Sequence, residues 1–341
     1  MSIINVEDVS KIYKRVKREE GALNFIKQIF VREYEYLPAV ENISFKINEG
    51  EMVGFLGPNG AGKSTTIKML TGILVPSSGE ITVKGNVPYK NRERNAMSIG
   101  TVFGQKTQLW WDIPVIESLN LCKYMYKIPS EAFNKNLNFF MELLEIYEFS
   151  NIPVRQLSLG QRMRADLCAA LLHSPDILFL DEPTIGLDVV VKEKIRGFIQ
   201  QINKEKNTTV ILTTHDMMDI EKICNRVMVI DHGNLMYDGG IDQLKKDYGN
   251  NQLIKIETSE PVIDIHELLG GILTYSIERE DKVIKISYDK RVINSSQILK
   301  LIMGKYTVKD FYVKETNIEE IIRNMYTGRI VTDNTKAEGI M

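Results

Sequence analysis

The first ten residues of the chain alternate apolar and polar positions, the period-two pattern of a half-buried strand. Val40–Ile47 and Met52–Leu56 read as two further strands, parted by the turn residues Asn48–Gly50. A glycine-rich stretch follows, then a helical one from about Lys63 to Leu70 that stops before Thr71–Gly72. Glu80–Val83 and Ile99–Phe103 read as short strands, and from 115 to 173 the spacing is helical. From 176 onward strands and helices alternate: Ile177–Leu180, a helix near 189–204, Thr209–Thr213, a helix near 216–224, and Arg226–Ile230. That alternation predicts a parallel sheet covered on both faces, with 115–173 as a helical insertion between its strands.

After about residue 245 the pattern changes. Leu253–Glu257, Thr274–Ile277, Val283–Tyr288 and Thr307–Val313 read as strands, and Ser295–Met303 as a helix capped by Asn294. Asn317–Tyr326 is a second helix, with Asn317 as cap and Glu320 three residues on. Residues 246–330 therefore read as an accessory α+β domain, and the aperiodic tail 331–341 is expected to be disordered. A basic run, Lys11–Arg18, precedes apolar residues at helical spacing: Ala22, Phe25, Ile26, Ile29 and Phe30. The insertion at about 16–38 is thus expected to hold an amphipathic helix, packed on the adjacent sheet or resting against a membrane subunit or surface.

A length of 341 residues suggests two domains, and 43% apolar residues is ordinary for a globular chain. A net charge of −2 argues against nucleic acid as a partner. The three cysteines, Cys122, Cys168 and Cys224, are odd in number and widely spaced, which fits neither a disulfide framework nor a zinc site. No window approaches the ~18 consecutive apolar residues of a membrane span, and MSIINVEDVS lacks the features of a signal peptide. Any membrane role is expected to run through another chain.

Candidate chemistry begins at Gly57-Pro58-Asn59-Gly60-Ala61-Gly62-Lys63-Ser64, followed by Thr65. Two glycines and a Lys-Ser pair at this spacing fit a phosphate-binding P-loop. Glycines let the backbone turn tightly and aim its N–H groups inward. The helix that starts near Lys63 adds the positive end of its dipole. Lys63 is placed to reach the β- and γ-phosphates of a nucleotide, and Ser64 to ligate Mg²⁺.

The second piece is Ile177-Leu178-Phe179-Leu180-Asp181-Glu182. Four apolar residues make a buried parallel strand, and two carboxylates follow at its carboxyl end, where ligands bind in open α/β sheets. Asp181 suits a Mg²⁺ contact, and Glu182 suits a general base acting on the attacking water. These two motifs specify a P-loop nucleoside triphosphatase and no more.

Five further features narrow the class. Leu157-Ser158-Leu159-Gly160-Gln161-Arg162 resembles the ABC signature sequence, with Ser158 as N-cap of the following helix. Gln105 matches a Q-loop glutamine, Gly186-Leu187-Asp188 a D-loop and His215 a switch histidine, and Tyr13 stands where an aromatic stacks on adenine. In this order over residues 13–215 they make the chain similar to ABC transporter ATP-binding subunits, of the single-cassette exporter type with a separate permease. The resemblance implies an α/β P-loop NTPase cassette over 1–245: a mixed sheet core, an antiparallel β subdomain and a helical subdomain at about 112–175.

The resemblance further implies ATP and Mg²⁺ as cofactors. It implies hydrolysis by Glu182, His215, Gln105 and Lys63, and a metal held by Ser64, Gln105 and Asp181. Two cassettes, identical or related, would close over two nucleotides, with Ser158, Gly160 and Gln161 of one acting on the ATP held by the other and Asp188 lining the interface. The chain would sit at the cytoplasmic face of the cell membrane through its permease and power export. The competing reading is a soluble ABC ATPase with a regulatory rather than a transport role. The chain departs from the familiar signature at Leu159, where glycine is usual. Trp110 and Trp111 suit either an interface anchor toward the permease or the core of the helical insertion.

Overall fold

The computed structural model describes residues 1–16, 34–104, 106–261, 268 and 274–327. The expected helix within 16–38, the glutamine at 105 and the tail 331–341 lie outside the described residues. The chain forms two units, Met1–Asp238 and Gly239–Met341. The division falls at Asp238–Gly239 rather than at 245, because helix α8 (Ile241–Tyr248) packs against α10 (Ile318–Tyr326), the last described helix of the second unit.

The first unit holds two sheets. Strands β1 (Ser2–Val16), β2 (Tyr34–Asn48) and β4 (Ser78–Val83) form an antiparallel sheet in the order β2-β1-β4. Register shifts interrupt the β1–β2 pairing between Val6 and Ile12. The second sheet has six strands in the order β5-β6-β7-β3-β8-β9: Ile99–Phe103, Ile177–Asp181, Thr209–Thr213, Met52–Leu56, Arg226–Asp231 and Asn234–Gly240. The first five pair in parallel. The central strands β6, β7 and β3 are buried on both faces, so they read as continuous apolar runs.

Helix α1 (Lys63–Leu70) lies between the two sheets, and α2 (Arg92–Ser98) leads into β5. Its Ile67, Met69 and Leu70 join Ile4, Val6, Ile43 and Phe45 of the antiparallel sheet and Phe55, Ile211 and Met228 of the parallel one in a single core. At about 1.5–3 kcal/mol for each large apolar side chain, this core fixes the start of α1 against the end of β3. Between β5 and β6 come α3 (Val115–Met125), α4 (Ser130–Leu143) and α5 (Leu159–Leu171), the expected helical insertion. Helix α6 (Val189–Lys206) links β6 to β7, and α7 (Met217–Ile223) links β7 to β8.

In the second unit, β10 (Asn251–Thr258), β11 (Thr274–Glu280), β12 (Val283–Asp289) and β13 (Val308–Glu315) form an antiparallel sheet in the order β11-β12-β10-β13. Helix α9 (Ser295–Met303) covers it through Ile298 and Ile302, which pack with Ile254, Ile256, Ile284 and Ile286. Asn294 caps α9 in a reciprocal box with Gln297, and Asn317 caps α10 (Ile318–Tyr326) through the Glu320 amide, as their sequence positions predict.

Candidate functional site

The loop 57–62 leaves β3 and turns into α1 with Gly62 as N-cap. Gly62 has φ +107°, and a Cβ there would lie 2.4 Å from the Ala39 carbonyl oxygen, so only glycine fits. Lys63 is almost fully buried, at 7% exposure, and curls back to donate to the Gly57 carbonyl at 2.5 Å and the Pro58 carbonyl at 3.0 Å. Burial pulls its ammonium below the ordinary lysine value, while Glu182 and then Asp181 oppose the shift.

Asp181 ends β6 beside this loop. Its Oδ2 lies 3.4 Å from the Ser64 hydroxyl, and its Oδ1 accepts a hydrogen bond from Thr213 at the end of β7. The next residue, Glu182, has φ +54°, a left-handed conformation rarely adopted by side-chain-bearing residues. Its amide donates to the Thr213 carbonyl at 2.9 Å. Backbone strain of this kind collects at active sites, where surrounding contacts over-determine it. Here it turns the Glu182 carboxylate out of the strand to meet His215, with Nε2 2.6 Å from Oε1.

Ser64, Asp181 and Glu182 share an open cleft of about 270 Å³ with Lys68, Phe103, Gly104 and Lys106. Gly104 and Lys106 flank position 105, and the Gly104 amide donates to the Asp181 carbonyl. The donor set suits Mg²⁺: one hydroxyl and one carboxylate, both hard oxygens, leaving places for water and phosphate. No cluster of three His, Cys, Asp or Glu side chains that could enclose a metal occurs among the described residues. Tyr13, on β1, places its hydroxyl 3.5 Å from Thr65 Oγ1, with its side chain partly exposed beside the loop.

The signature residues form a separate group. Ser158 caps α5: its Oγ accepts from the Gln161 amide at 3.2 Å, and its own amide donates to Gln161 Oε1 at 2.9 Å. Asp188 caps α6, accepting from the Val191 amide at 2.9 Å. Among the described residues, no hydrogen bond or ion pair joins Ser158, Gly160, Gln161 or Asp188 to the loop 57–65. The two caps lie side by side. Gly160 packs on Val191, and a Cβ at Gly186 would lie 3.0 Å from the Leu159 side chain. Leu159, the departure from the usual signature, thus covers the 186–188 turn.

Two polar clusters had no signal in the sequence. Asp219 is fully buried on α7 and accepts hydrogen bonds from Thr184, Thr214 and Arg196, the last at 2.6 Å. It therefore ties the turn after Glu182 to the residue before His215. Asp166, on α5, accepts from the Thr107 hydroxyl at 2.8 Å and the Gln108 amide at 3.0 Å. Burial pushes its carboxyl up to about 6, against the pull of those two bonds. Asp219 lies in an acidic stretch that reads as a solvated helix face, and Asp166 in a run that reads as amphipathic helix. Only the fold turns each inward.

Residues 40–185 match the family model described as ABC transporter. The linearmycin resistance ATP-binding protein LnrL of Bacillus subtilis is 31% identical over 299 residues, covering 86% of this chain and 95% of that protein. The bacitracin transport ATP-binding protein BcrA of Bacillus licheniformis is 30% identical over 290 residues, covering 81% and 92%. Among solved structures, the dimeric post-hydrolysis state of the ATP-binding cassette MJ0796 bound to ADP and Pi aligns with a TM-score of 0.58 at 26% identity, covering 70% of this chain and 98% of that one.

Proposed function

Because this chain belongs to the family of ABC transporter ATP-binding subunits, we propose that it hydrolyses ATP to drive export through a separate transmembrane permease. The single observation that carries the hydrolytic reading is the Glu182–His215 contact, at the rim of the cleft that Ser64 and Asp181 share. The drug-related names of the relatives LnrL and BcrA make an antibiotic-like or other membrane-active compound the favoured cargo class.

The chemistry follows from the positions. The backbone amides of 57–62 and the start of α1 bind the β- and γ-phosphates. Lys63 exchanges its Gly57 and Pro58 carbonyls for phosphate oxygens, replacing neutral acceptors by charged ones. Ser64 and Asp181 would hold Mg²⁺, with Gln105 as the further ligand read from the sequence, and the ion would supply neutralisation of phosphate charge. Glu182 accepts the proton of the attacking water, and His215, held to that carboxylate through Nε2, orients it toward the γ-phosphate. Tyr13 stacks on the adenine.

Ser158 and Gly160 present the N-terminus of α5 to the ATP of a second cassette, identical or related, with Gln161 locking the cap and Asp188 beside it. ATP then favours the closed pair, and hydrolysis removes that preference. The separate permease, a further chain, is inferred from the relatives LnrL and BcrA, whose names are those of ATP-binding proteins of resistance and transport systems; no described helix is long and apolar enough to cross a membrane. Exposed Trp110 and Trp111, beside the Asp166-anchored segment, suit contact with that chain at the cytoplasmic face. Isolating the tagged chain from its own cells tests this reading. Co-purification of an integral membrane protein that stimulates turnover in vesicles is expected; recovery without any membrane protein would favour a regulatory ATPase.

A further inference from the structure

Strand β13 is the outer strand of the second unit's sheet, and among the described residues it pairs with β10 alone. Its side chains are largely exposed, including Phe311 at 51% and Tyr312 at 64%. The Phe311 amide donates to its neighbour's carboxylate, Asp310 Oδ1, at 2.8 Å, where an adjoining strand would supply a carbonyl. An open edge of this kind is a template for another strand. Lysines on an edge usually guard against that, since any partner copy brings the same charge.

Here the charges run in mirror order. The segment reads Lys309-Asp310-Phe311-Tyr312-Val313-Lys314-Glu315. Laid antiparallel on a second copy with Tyr312 opposite Tyr312, it sets Lys309 against Glu315, Asp310 against Lys314 and Phe311 against Val313, each twice by symmetry. A slip of one residue in either direction sets Lys309 against Lys314, or Asp310 against Glu315. A slip of two sets charged side chains against Val313 and Tyr312, or against Phe311 and Tyr312. In-register parallel pairing sets every charge on its own copy. Like charges directly opposite destabilise a strand pair and unlike charges stabilise it, so one register stands alone.

We propose that the outer edge of β13 is a homodimerisation strand, which takes β13 of a second copy of this chain antiparallel, with Tyr312 on the two-fold axis. Among the described residues the competing contact within the chain is slight: Lys314 Nζ lies 3.6 Å from Glu320 Oε2, both exposed. Pairing frees Asp310 from the Phe311 amide to face Lys314. A strand pair of this length is at the small end of interface sizes, so the dimer is expected to be weak and reversible. It needs no nucleotide, which separates it from closure over ATP.

The test uses the full chain without nucleotide. Sedimentation over a concentration series is expected to show a monomer–dimer equilibrium. Lys309→Glu is expected to weaken it roughly 10-fold, and Lys309→Glu with Glu315→Lys to restore it, because the swapped charges again oppose. Tyr312→Cys is expected to give a disulfide-linked dimer on mild oxidation and Lys309→Cys none; the native cysteines are buried. These positions are exposed, so unchanged melting temperatures check the fold. A monomer at every concentration with no Tyr312→Cys cross-link would overturn the proposal. So would a dimer unmoved by Lys309→Glu.

Discussion

The Glu182 carboxylate and the His215 imidazole meet at 2.6 Å, brought together by the parallel pairing of β6 with β7. Glu182 holds a left-handed backbone conformation to make this contact, and its amide is bonded to β7 at Thr213. We propose that Glu182 acts here as the general base, placed by one strand and oriented by His215 from the loop after the next, beside the phosphate loop. Glu182→Gln keeps the shape and removes the base. Turnover is expected to fall roughly 10²–10⁴-fold, with ATP affinity within a few-fold of wild type. Phosphate release and binding of a fluorescent ATP analogue, measured side by side, check it; equal loss of both would assign Glu182 to binding.

Asp219 and Arg196 form a buried ion pair whose carboxylate also holds Thr184 and Thr214. Removing one partner leaves an uncompensated charge, so Asp219→Ala is expected to cost about 3–5 kcal/mol in thermal or denaturant unfolding. The double variant Thr184→Val/Thr214→Val leaves the ion pair intact and frees the two loops. Its turnover is expected to fall roughly 10-fold, because small misplacements of catalytic groups are costly. Wild-type turnover in a folded double variant would show that Asp219 serves stability alone.

Lys63 is a buried cation bonded to two neutral carbonyls, and burial holds its ammonium below the usual lysine range. Replacing it removes a desolvation cost in the nucleotide-free protein and a charge-assisted bond in the complex. Lys63→Met is expected to melt no lower than wild type and to bind ATP roughly 10–100-fold more weakly, from about 1.5–3 kcal/mol lost per bond to a charged group. Calorimetry with and without ATP separates the two effects.

His173 stacks on Tyr126 at 3.9 Å and bonds the Ile99 carbonyl through Nε2. Burial pulls its imidazole down to about 4, against that bond. The unfolded chain therefore binds the proton more readily. The contribution of neutral His173 is complete above about 6.5 and is lost as the pH falls towards about 4, on the order of 3 kcal/mol in all. His173→Gln cannot titrate, so its melting temperature is expected to drop less than that of wild type between pH 6.5 and pH 4.5. Parallel curves would mean that His173 is not the source.

What the sequence made legible was local. Continuous apolar runs placed β3, β6 and β7, and a period of 3.6 placed α9, within a residue or two, because apolar spacing there follows burial directly. The loop 57–64, Asp181 and Glu182 were readable as candidates because each motif is contiguous in the sequence and falls at the end of an apolar strand, β3 or β6. Asp219 and Asp166 were not, since a carboxylate on a helix reads as solvated until the partner element is known. The division at Asp238 was also hidden: Ile241–Tyr248 has an ordinary amphipathic pattern, and only its packing on Ile318–Tyr326 assigns it to the second unit. The roles of Ser158 and Asp188 were read from resemblance, and within one chain both act as helix caps.

Steady-state phosphate release from Mg²⁺-ATP by the purified wild-type chain, with Glu182→Gln as its pair, tests the central claim most directly. ATP-dependent release by the wild type, reduced at least roughly 100-fold in the variant, is expected. Equal rates in the two proteins, or none in a wild type that binds ATP, would contradict it.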